Sequence, residues 1–293
     1  EKINVIHAHW ILPQGFLAYL CNKLFHIPYI ATAHAGDIFP LKSAFLRFLS
    51  YLTIKNSYYC TANSSFTKKK LLKISGRKDI KIIPMGVDLS VFSQRNKNNH
   101  LRKRLGVKGE FILAVGRLVE KKGMKYLIMA MKDVIKKFPG AKLVIVGDGP
   151  EKKGLEILAK ELGLENNIMF MGSVENRQLP EFYATADLFV GPSIVTESGD
   201  TEGLGIVFLE ALASGTCVIG SNVGGIPDII KHNSTGLLVK QKSPRQLANA
   251  IIRLLSDSNL RKRLASSGRK RVKSIYSWGL IGKRFNEAAA SIK

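Results

Sequence analysis

The chain has 293 residues, of which 45% are apolar and 23% are charged, as expected for a folded protein of about two domains. This composition excludes a disordered chain, a collagen and a small disulfide scaffold. Lys and Arg number 45 against 22 Asp and Glu, and the formal charge of +23 indicates an anionic partner: nucleic acid, a membrane surface or a phosphate-bearing substrate.

The positive charge is distributed unevenly along the chain. Residues 1–92 carry a net charge of +8, residues 93–108 carry +6, residues 109–256 carry +1 and residues 257–293 carry +8. The largest block is therefore nearly neutral, and the excess charge lies in the segments that flank it.

The three cysteines predict neither a zinc site nor a disulfide framework. Cys21, Cys60 and Cys217 are scattered and lack CxxC spacing, which favours a reducing compartment. No apolar run is long enough to cross a bilayer. The chain opens almost directly on a predicted strand, without Met or a signal-peptide pattern, so we expect an upstream segment to be missing.

Strand-like runs alternate with helical patterns in the first third of the chain. Strands are predicted over 4–7, 29–33, 58–62 and 80–83, and helices near 13–25, 43–55 and 64–74. This alternation is typical of βα units with a parallel sheet. We therefore predict a partial N-terminal Rossmann-like domain over 1–92, followed by a basic linker over 93–108.

The alternation restarts at residue 109. Strands are predicted over 111–115, 143–146, 168–171, 188–190, 217–219 and 237–239, and helices near 124–137, 151–162, 177–185, 205–214, 225–231 and 244–256. Six strands with intervening helices make a complete doubly wound domain, which we place at 109–274. The tail beyond about residue 258 is predicted to form two helices.

Two common nucleotide motifs are not matched. The best candidate for the dehydrogenase fingerprint GxGxxG is Gly147-Asp148-Gly149-Pro150, but Lys152 stands where the third glycine belongs. No stretch supplies a P-loop. Hydride transfer and P-loop phosphoryl transfer are therefore disfavoured.

The segment from Thr201 to Gly215 predicts an anion site at the start of a helix. Gly203 and Gly205 allow a tight turn and close approach of a ligand. The free N–H groups at the helix start, together with the helix dipole, suit a diphosphate. Glu202 would repel a phosphate, so it is better suited to accept sugar or ribose hydroxyls, as is Glu210. For each glutamate alone, capping or solvent exposure is an equal alternative.

A second cluster follows the strand at 111–115. Arg117 and Lys122 lie five residues apart on a loop that leaves the carboxyl edge of the sheet, where ligands of such folds bind. The two side chains could clamp a pyrophosphate, since Arg offers a bidentate fork and Lys a point charge. The alternative is an ordinary solvated loop.

These motifs, in this order and at this spacing, resemble the retaining GT-B glycosyltransferases of family 4. The resemblance in the second domain rests on Gly116-Arg117 with Lys122-Gly123, on residues 146–150, on Glu202-x7-Glu210 and on residues 223–228. Residues 7–10, 32–37, 63–65 and 85–88 resemble the N-terminal domain of this family. The resemblance covers essentially the whole chain.

The resemblance implies an α/β GT-B fold, with two Rossmann-like doubly wound domains that face a cleft and with the first domain incomplete. The last helix, within 275–293, would cross back onto the N-terminal domain. A nucleotide-sugar would lie in the cleft, and a hexosyl group would pass to a glycan, polysaccharide intermediate or lipid-linked acceptor with retention of configuration. The missing N-terminal part would impair this activity.

The resemblance also implies roles for residues. Arg117 and Lys122 would bind the diphosphate, Glu202 the donor sugar and Glu210 the ribose, with His34 near the transferred sugar. The remaining donor-binding residues implied are Gly116, Gly172, Ser173, Gly203, Leu204, Gly205 and Ile206.

Acceptor-side roles are implied for His9 and Asp37. The alternation of His7 and His9 on a strand predicts that both face one side, where a buried, hydrogen-bonded histidine is the alternative to metal ligation. Asp37 could equally cap the next helix. We expect no bound metal and no cofactor, because the nucleotide-sugar is a substrate and no DxD motif is present.

Two other classes of function remain open from the sequence. One is a non-hydrolysing sugar-nucleotide epimerase or a phosphorylase on the same fold. The other is a nucleic-acid-binding protein, which the lack of aromatic residues within the basic runs disfavours, so we expect no nucleic-acid partner.

The excess charge predicts a location. We expect a cytoplasmic protein that attaches peripherally to the inner face of an anionic plasma membrane. Lys68–Lys70, Lys73, Arg77 and Lys78 would form one basic face with the tail. A generally basic proteome is the alternative explanation of the charge.

Overall fold

The computed structural model describes residues 3–38 and 43–292, and within them a parallel sheet of four strands forms the first domain. The strands β1 to β4 lie side by side in sequence order; they are Ile6–His9, Tyr29–Ala33, Tyr59–Ala62 and Lys81–Ile82. The helices α1 to α3 connect them and span Phe16–Phe25, Ala44–Asn56 and Ser65–Ser75. Predicted strands and helices are all present, with β1 starting two residues later than the apolar pattern suggests.

The second domain contains the six predicted strands in one parallel sheet. The strands β5 to β10 span Phe111–Val115, Lys142–Val146, Ile168–Gly172, Leu188–Gly191, Cys217–Ser221 and Leu237–Val239. Their order is β10-β9-β8-β5-β6-β7, which reverses direction between β5 and β8. This is the doubly wound order, and the predicted α/β class of the chain is confirmed.

Helices cover both faces of the second sheet. Helices α4 to α12 span Asn99–Arg104, Met124–Lys137, Lys152–Glu161, Leu179–Thr185, Ile206–Ala213, Ile226–Ile229, Pro244–Ser256, Ser258–Ile275 and Trp278–Ala290. All five residues of β5 are buried, because a parallel strand with helices on both sides meets no solvent. Ile112 and Ala114 pack in one apolar layer, and Phe111 and Leu113 pack in the other. No helix of the described ranges combines the length and apolar character that a membrane crossing requires.

The predicted linker over 93–108 belongs partly to the second domain. Leu101 of α4 and Leu105, the residue that ends this helix, are buried in the same apolar layer as Val107 and Phe111. Arg102 donates from Nη1 to Asp187 Oδ2 at 3.0 Å. Three of the six cations of this segment thus lie on a helix that is packed in place.

The C-terminal helix α12 lies against the first sheet. The ring of Phe285 packs on that of His7, with their centroids 4.8 Å apart. Tyr58 Oη donates to the carbonyl oxygen of Ser291 at 3.0 Å, and Trp278 packs over Gly86. The tail therefore contacts the first domain directly.

Arg77, predicted to belong to a basic surface, instead ties together elements of the first domain. Its Nη1 donates to the carbonyl oxygens of Ile54 and Ser57 at 2.9 and 2.6 Å, and its Nη2 donates to that of Tyr58 at 2.9 Å. Its Nε pairs with Asp79 at 2.7 Å, and the Arg77 side chain is only 14% exposed. The guanidinium thus joins the end of α2 to the start of β3 and is not available to a membrane.

We expect Arg77→Met to lower the free energy of unfolding by about 2–4 kcal/mol, because it leaves buried carbonyl oxygens without donors. Urea titration at pH 7 measures the change. Lys78→Met is the matched control, since it removes the neighbouring exposed charge and should cost no more than about 0.5 kcal/mol. Equal losses in both variants would contradict the assigned role of Arg77.

Candidate functional site

The crevice at the carboxyl edge of the second sheet is formed by loops that approach each other closely. A Cβ atom on Gly147 would lie 2.0 Å from the carbonyl oxygen of Gly116, and one on Gly149 would lie 2.4 Å from that of Leu118. Both glycines also adopt positive φ, 136° and 157°. Only glycine at these positions lets the loop after β6 stack on the loop after β5.

Lys122 and Glu202 meet above this crevice, although they are 80 residues apart. Lys122 Nζ lies 2.5 Å from Glu202 Oε2, and the two side chains are 17% and 16% exposed. The lysine stem passes over Gly116, with Cε 3.4 Å from the position of a Cβ there. The structure thus brings together three predicted site residues in one partly buried ion pair and the glycine beneath it.

Arg117, the other predicted diphosphate ligand, points to solvent. It is exposed, and within the part of the chain that the structure describes its guanidinium forms no hydrogen bond or ion pair. The neighbouring Lys121 instead pairs with Asp200 at 3.2 Å, a contact that sequence reasoning did not identify. Arg117 is therefore a cation on the rim of the crevice that is available to a ligand.

The predicted turn before α8 presents backbone donors at the crevice. Gly205 adopts φ 91°, and α8 begins directly after it. The N–H groups of Leu204, Gly205 and Ile206 donate to no acceptor among the described residues. Three donors at a helix start favour an anion through both hydrogen bonding and the helix dipole.

Gly203 lies at the contact between the two domains. A Cβ atom there would come within 2.5 Å of Ala35 Cβ and 3.1 Å of the carbonyl oxygen of His34. On its other side, the N–H of Gly225 donates to the carbonyl oxygen of Glu202 at 3.0 Å. The loop that carries Glu202 is thus held between the glycines before α9 and the turn after β2.

Glu210 lies one turn into α8 and has a partner that sequence reasoning missed. Its Oε2 accepts a hydrogen bond from Tyr183 Oη at 2.8 Å. Burial raises the pKa of Glu210, while the tyrosine hydrogen bond and the charge of Lys122 act in the opposite direction. Tyr183 is 27 residues away and is part of an apolar helical pattern. No local sequence signal therefore indicates this contact.

Three histidines of the first domain form a cluster near the carboxyl ends of β1 and β2. His9 Nδ1 and His34 Nε2 are 2.9 Å apart, and His7 Nε2 lies 2.8 Å from Thr32 Oγ1. The rings of His7 and His9 are 4.3 Å apart, so both lie on one side of β1, as predicted. The imidazoles hydrogen-bond to each other and to a threonine, and the described residues contain no set of three ligands placed to hold a metal.

The charge state of this cluster follows from its surroundings. Desolvation by burial, with a smaller contribution from neighbouring His9, lowers the pKa of His34 to about 4. Desolvation and the two neighbouring imidazoles lower the pKa of His7 to about 4 as well. Both side chains are neutral at pH 7.

Asp37 is a buried carboxylate that accepts hydrogen bonds from two backbone N–H groups. It is 5% exposed; its Oδ1 accepts from the N–H of His34 at 3.0 Å and its Oδ2 from the N–H of Ile11 at 2.7 Å. Burial raises its pKa, and these backbone hydrogen bonds oppose the rise. The expectation that it caps the next helix is wrong, because α2 begins at Ala44 and its N-cap residue is Ser43.

Gly172 and Ser173 lie at the end of β7, on the same edge of the sheet. Gly172 adopts φ 68°, and its carbonyl oxygen accepts from the N–H of Gly147 at 2.8 Å. Ser173 is exposed. The two residues thus border the glycine loop after β6, where backbone atoms are accessible.

Asp228 bridges the domains, a role the sequence did not indicate although its stretch was singled out. Its Oδ2 accepts from the N–H of Ser65 at 2.6 Å, at the start of α3. Arg271 and Tyr276 both donate to its carbonyl oxygen at 3.0 Å. An acidic side chain at a helix start is favoured by the helix dipole, which in this case acts between domains.

We expect the free energy of unfolding to fall as the pH is lowered from about 6.5 to about 4, because the unfolded chain binds protons that His7 and His34 resist. Denaturant titrations across this range measure the slope. His34→Gln should reduce the slope by about one proton. His100→Gln, which removes an exposed histidine on α4, should leave it unchanged; equal slopes in all three proteins would contradict the burial of His34.

Two family models together match most of the chain. The model described as Glycosyl transferases group 1 matches residues 96–271, and that described as Glycosyltransferase Family 4 matches residues 1–91.

The curated relatives are glycosyltransferases and related synthases. An uncharacterized glycosyltransferase of Methanocaldococcus jannaschii is 33% identical over 97% of this chain and 74% of its own length. A GDP-mannose-dependent alpha-(1-6)-phosphatidylinositol monomannoside mannosyltransferase of Mycobacterium tuberculosis is 36% identical over 74% of this chain and 58% of its own. The chain thus spans between about half and three quarters of these relatives.

Solved structures share the fold. Anabaena Alr3699/HepE in complex with UDP superposes with a TM-score of 0.88 at 23% identity, covering 98% of this chain and 79% of that one. Sucrose-phosphate synthase from Thermosynechococcus elongatus superposes with a TM-score of 0.83 at 27% identity, covering 97% and 72%. With its two parallel sheets, its glycine-lined crevice and these matches, the chain belongs to the group 1, family 4 glycosyltransferases and has the GT-B fold.

Proposed function

We propose that the chain transfers a sugar from a nucleoside-diphosphate donor to a glycan, polysaccharide-intermediate or lipid-linked acceptor with retention of anomeric configuration. The observation that carries the proposal is the placement of Lys122, Glu202 and the free N–H groups of 204–206 in one crevice opposite His34. The names of the relatives support this class of reaction, since one uses GDP-mannose and acts on a phosphatidylinositol mannoside.

The diphosphate is proposed to bind between the cations and the start of α8. Arg117 and Lys122 provide positive charge, and the N–H groups at the helix start donate to phosphate oxygens. The same groups stabilise the charge that develops on the leaving diphosphate. As Lys122 turns towards the phosphates, its ion pair with Glu202 loosens, and Glu202 then accepts hydroxyls of the donor sugar.

The transfer step is proposed to proceed on one face of the sugar. The acceptor hydroxyl oxygen bonds to the anomeric carbon as the bond from that carbon to the phosphate oxygen breaks. The hydroxyl proton passes to the leaving phosphate, so that no separate protein base is required. Neutral His34 offers a hydrogen bond to the sugar without adding a charge.

Glu210 is proposed to hold the ribose of the donor. The hydrogen bond from Tyr183 fixes one carboxylate oxygen of Glu210 and leaves the other for the ribose hydroxyls. Gly172 and Ser173 border the crevice where the base would lie, and would present backbone groups to it.

A screen of UDP- and GDP-sugars on the protein, with NMR analysis of the anomeric product, tests the reaction. We expect a retained configuration and turnover that a chelator leaves unchanged. Arg117→Gln and Lys122→Gln should each lower kcat by about 100- to 1000-fold, by removing charge that stabilises the leaving group.

Lys121→Gln is the matched control, because Lys121 pairs with Asp200 instead of lining the crevice, and it should lower kcat far less. An inverted product would overturn the retaining mechanism. Failure of every nucleotide-sugar to bind would overturn the proposed function as a whole.

We also propose that the first domain attaches to an anionic membrane, where a lipid-linked acceptor would be found. Lys68, Lys69 and Lys73 lie on α3, and Lys78 follows it. Lys68 and Lys78 share a groove with Lys81 and with Arg284 of α12. Asp79 and Glu287 also line this groove, so four cations outnumber two carboxylates there.

Co-sedimentation with neutral and anionic phospholipid vesicles tests the attachment. The K68Q/K69Q/K73Q variant should bind anionic vesicles about 100-fold more weakly, since each basic residue near such a surface contributes about 1 kcal/mol. K132Q/K136Q/K137Q removes equal charge from α5 of the second domain and should bind like the wild type. Equal binding to neutral vesicles would contradict the proposal.

A further inference from the structure

A basic cavity lies at the opposite end of α8 from the predicted diphosphate site. It has a volume of about 570 Å³ and is formed by one face of α11, by the end of α8 and by the segment over 89–94. We call it the α11 cavity. Its size falls within the range of small-molecule sites in proteins.

Four cations of α11 line this cavity: Lys262, Arg269, Lys270 and Lys273. No acidic side chain lines it, and within the described ranges none of the four takes part in an ion pair. Among the described residues, the Arg269 side chain donates from Nη1 to Gln94 Oε1 alone, at 3.3 Å. The cavity therefore concentrates like charges that no carboxylate among the described residues pairs with.

Much of the remaining wall is apolar. Leu89, Phe92, Ala213 and Ala265 provide its apolar surface. Gln94 is packed on Gly215, where a Cβ atom would lie 2.2 Å from the Gln94 amide nitrogen. The cavity thus has a cationic side and an apolar side. A ligand with phosphoryl groups and a less polar portion fits it, because Arg guanidinium and Lys ammonium groups bind phosphates in protein sites.

The cavity also accounts for charge that the donor does not explain. The tail over 257–293 carries +8, yet only Arg284 of its cations lines the groove beside Lys68 and Lys78. Four of the others face the α11 cavity. A concave pocket with one basic wall suits a small molecule better than a nucleic acid or a flat lipid surface, which would need an extended basic face.

We propose that the α11 cavity is a second anion site that binds a phosphorylated small molecule independently of the crevice. The cations of α11 hold the phosphoryl groups, and the apolar residues of the segment over 89–94 contact the remainder. The proposal does not depend on the transfer reaction, since it concerns residues that the reaction does not use.

Calorimetric titration with inorganic pyrophosphate at low salt tests the site. The R117Q/K122Q variant, in which the crevice is disabled, should still bind about one pyrophosphate per chain. Adding S266E places a carboxylate in the cavity and should weaken this remaining binding at least about tenfold, whereas adding S266A should not.

A second set of variants guards against loss of folding, which circular dichroism monitors. On the same R117Q/K122Q background, K262Q/R269Q/K273Q should abolish pyrophosphate binding, and K132Q/K136Q/K137Q on α5 should preserve it. Absence of binding to R117Q/K122Q, or binding that the cavity substitutions leave unchanged, would overturn the proposal. If K262Q/R269Q/K273Q lost binding to anionic vesicles but kept binding to pyrophosphate, the cavity would be assigned to a lipid surface. That result would overturn the proposal too.

Discussion

Close contact between glycine backbones at the carboxyl edge of the second sheet is the constraint on which the site depends. Gly147 and Gly149 stack the loop after β6 on the carbonyl oxygens of the loop after β5, with no room for a side chain. Gly203 and Gly225 do the same for the loop that carries Glu202. Since close-packed backbones cannot shift independently, the charged side chains that rise from these loops have few positions available to them.

The ion pair between Lys122 and Glu202 is the electrostatic consequence of this packing. Both side chains are mostly buried, so each would be costly to leave without a partner. An anionic ligand can take the place of the carboxylate beside the lysine, and the released carboxylate can then accept hydroxyl groups. Lys122 can thus exchange Glu202 for an anionic ligand. The Arg117 side chain lies exposed on the rim, without a partner among the described residues.

The packing of the two domains and the tail also determines where the charged side chains lie. The second domain packs its linker helix through Leu101, with Arg102 paired to Asp187, and residues 109–256 carry a net charge of only +1. Excess cations are left on α3 and along one face of α11, and among the described residues no carboxylate lines the α11 cavity. Arg77 shows that a basic residue can instead be used internally, as a donor to three carbonyl oxygens.

The sequence alone determined the βα order and the complete second sheet, because helix and strand periods are local signals. It singled out Lys122, Glu202 and Gly203 as candidates, because they follow strand ends or stand beside glycine turns. It also indicated that His7 and His9 share one side of β1. Only the tertiary structure decided that Tyr183 holds Glu210, that Asp228 joins the domains and that Asp37 serves backbone N–H groups instead of a helix cap. These contacts join residues that are distant in the chain, or involve a side chain that could find several different partners nearby. The partner is therefore selected only when the sheets, helices and loops pack together.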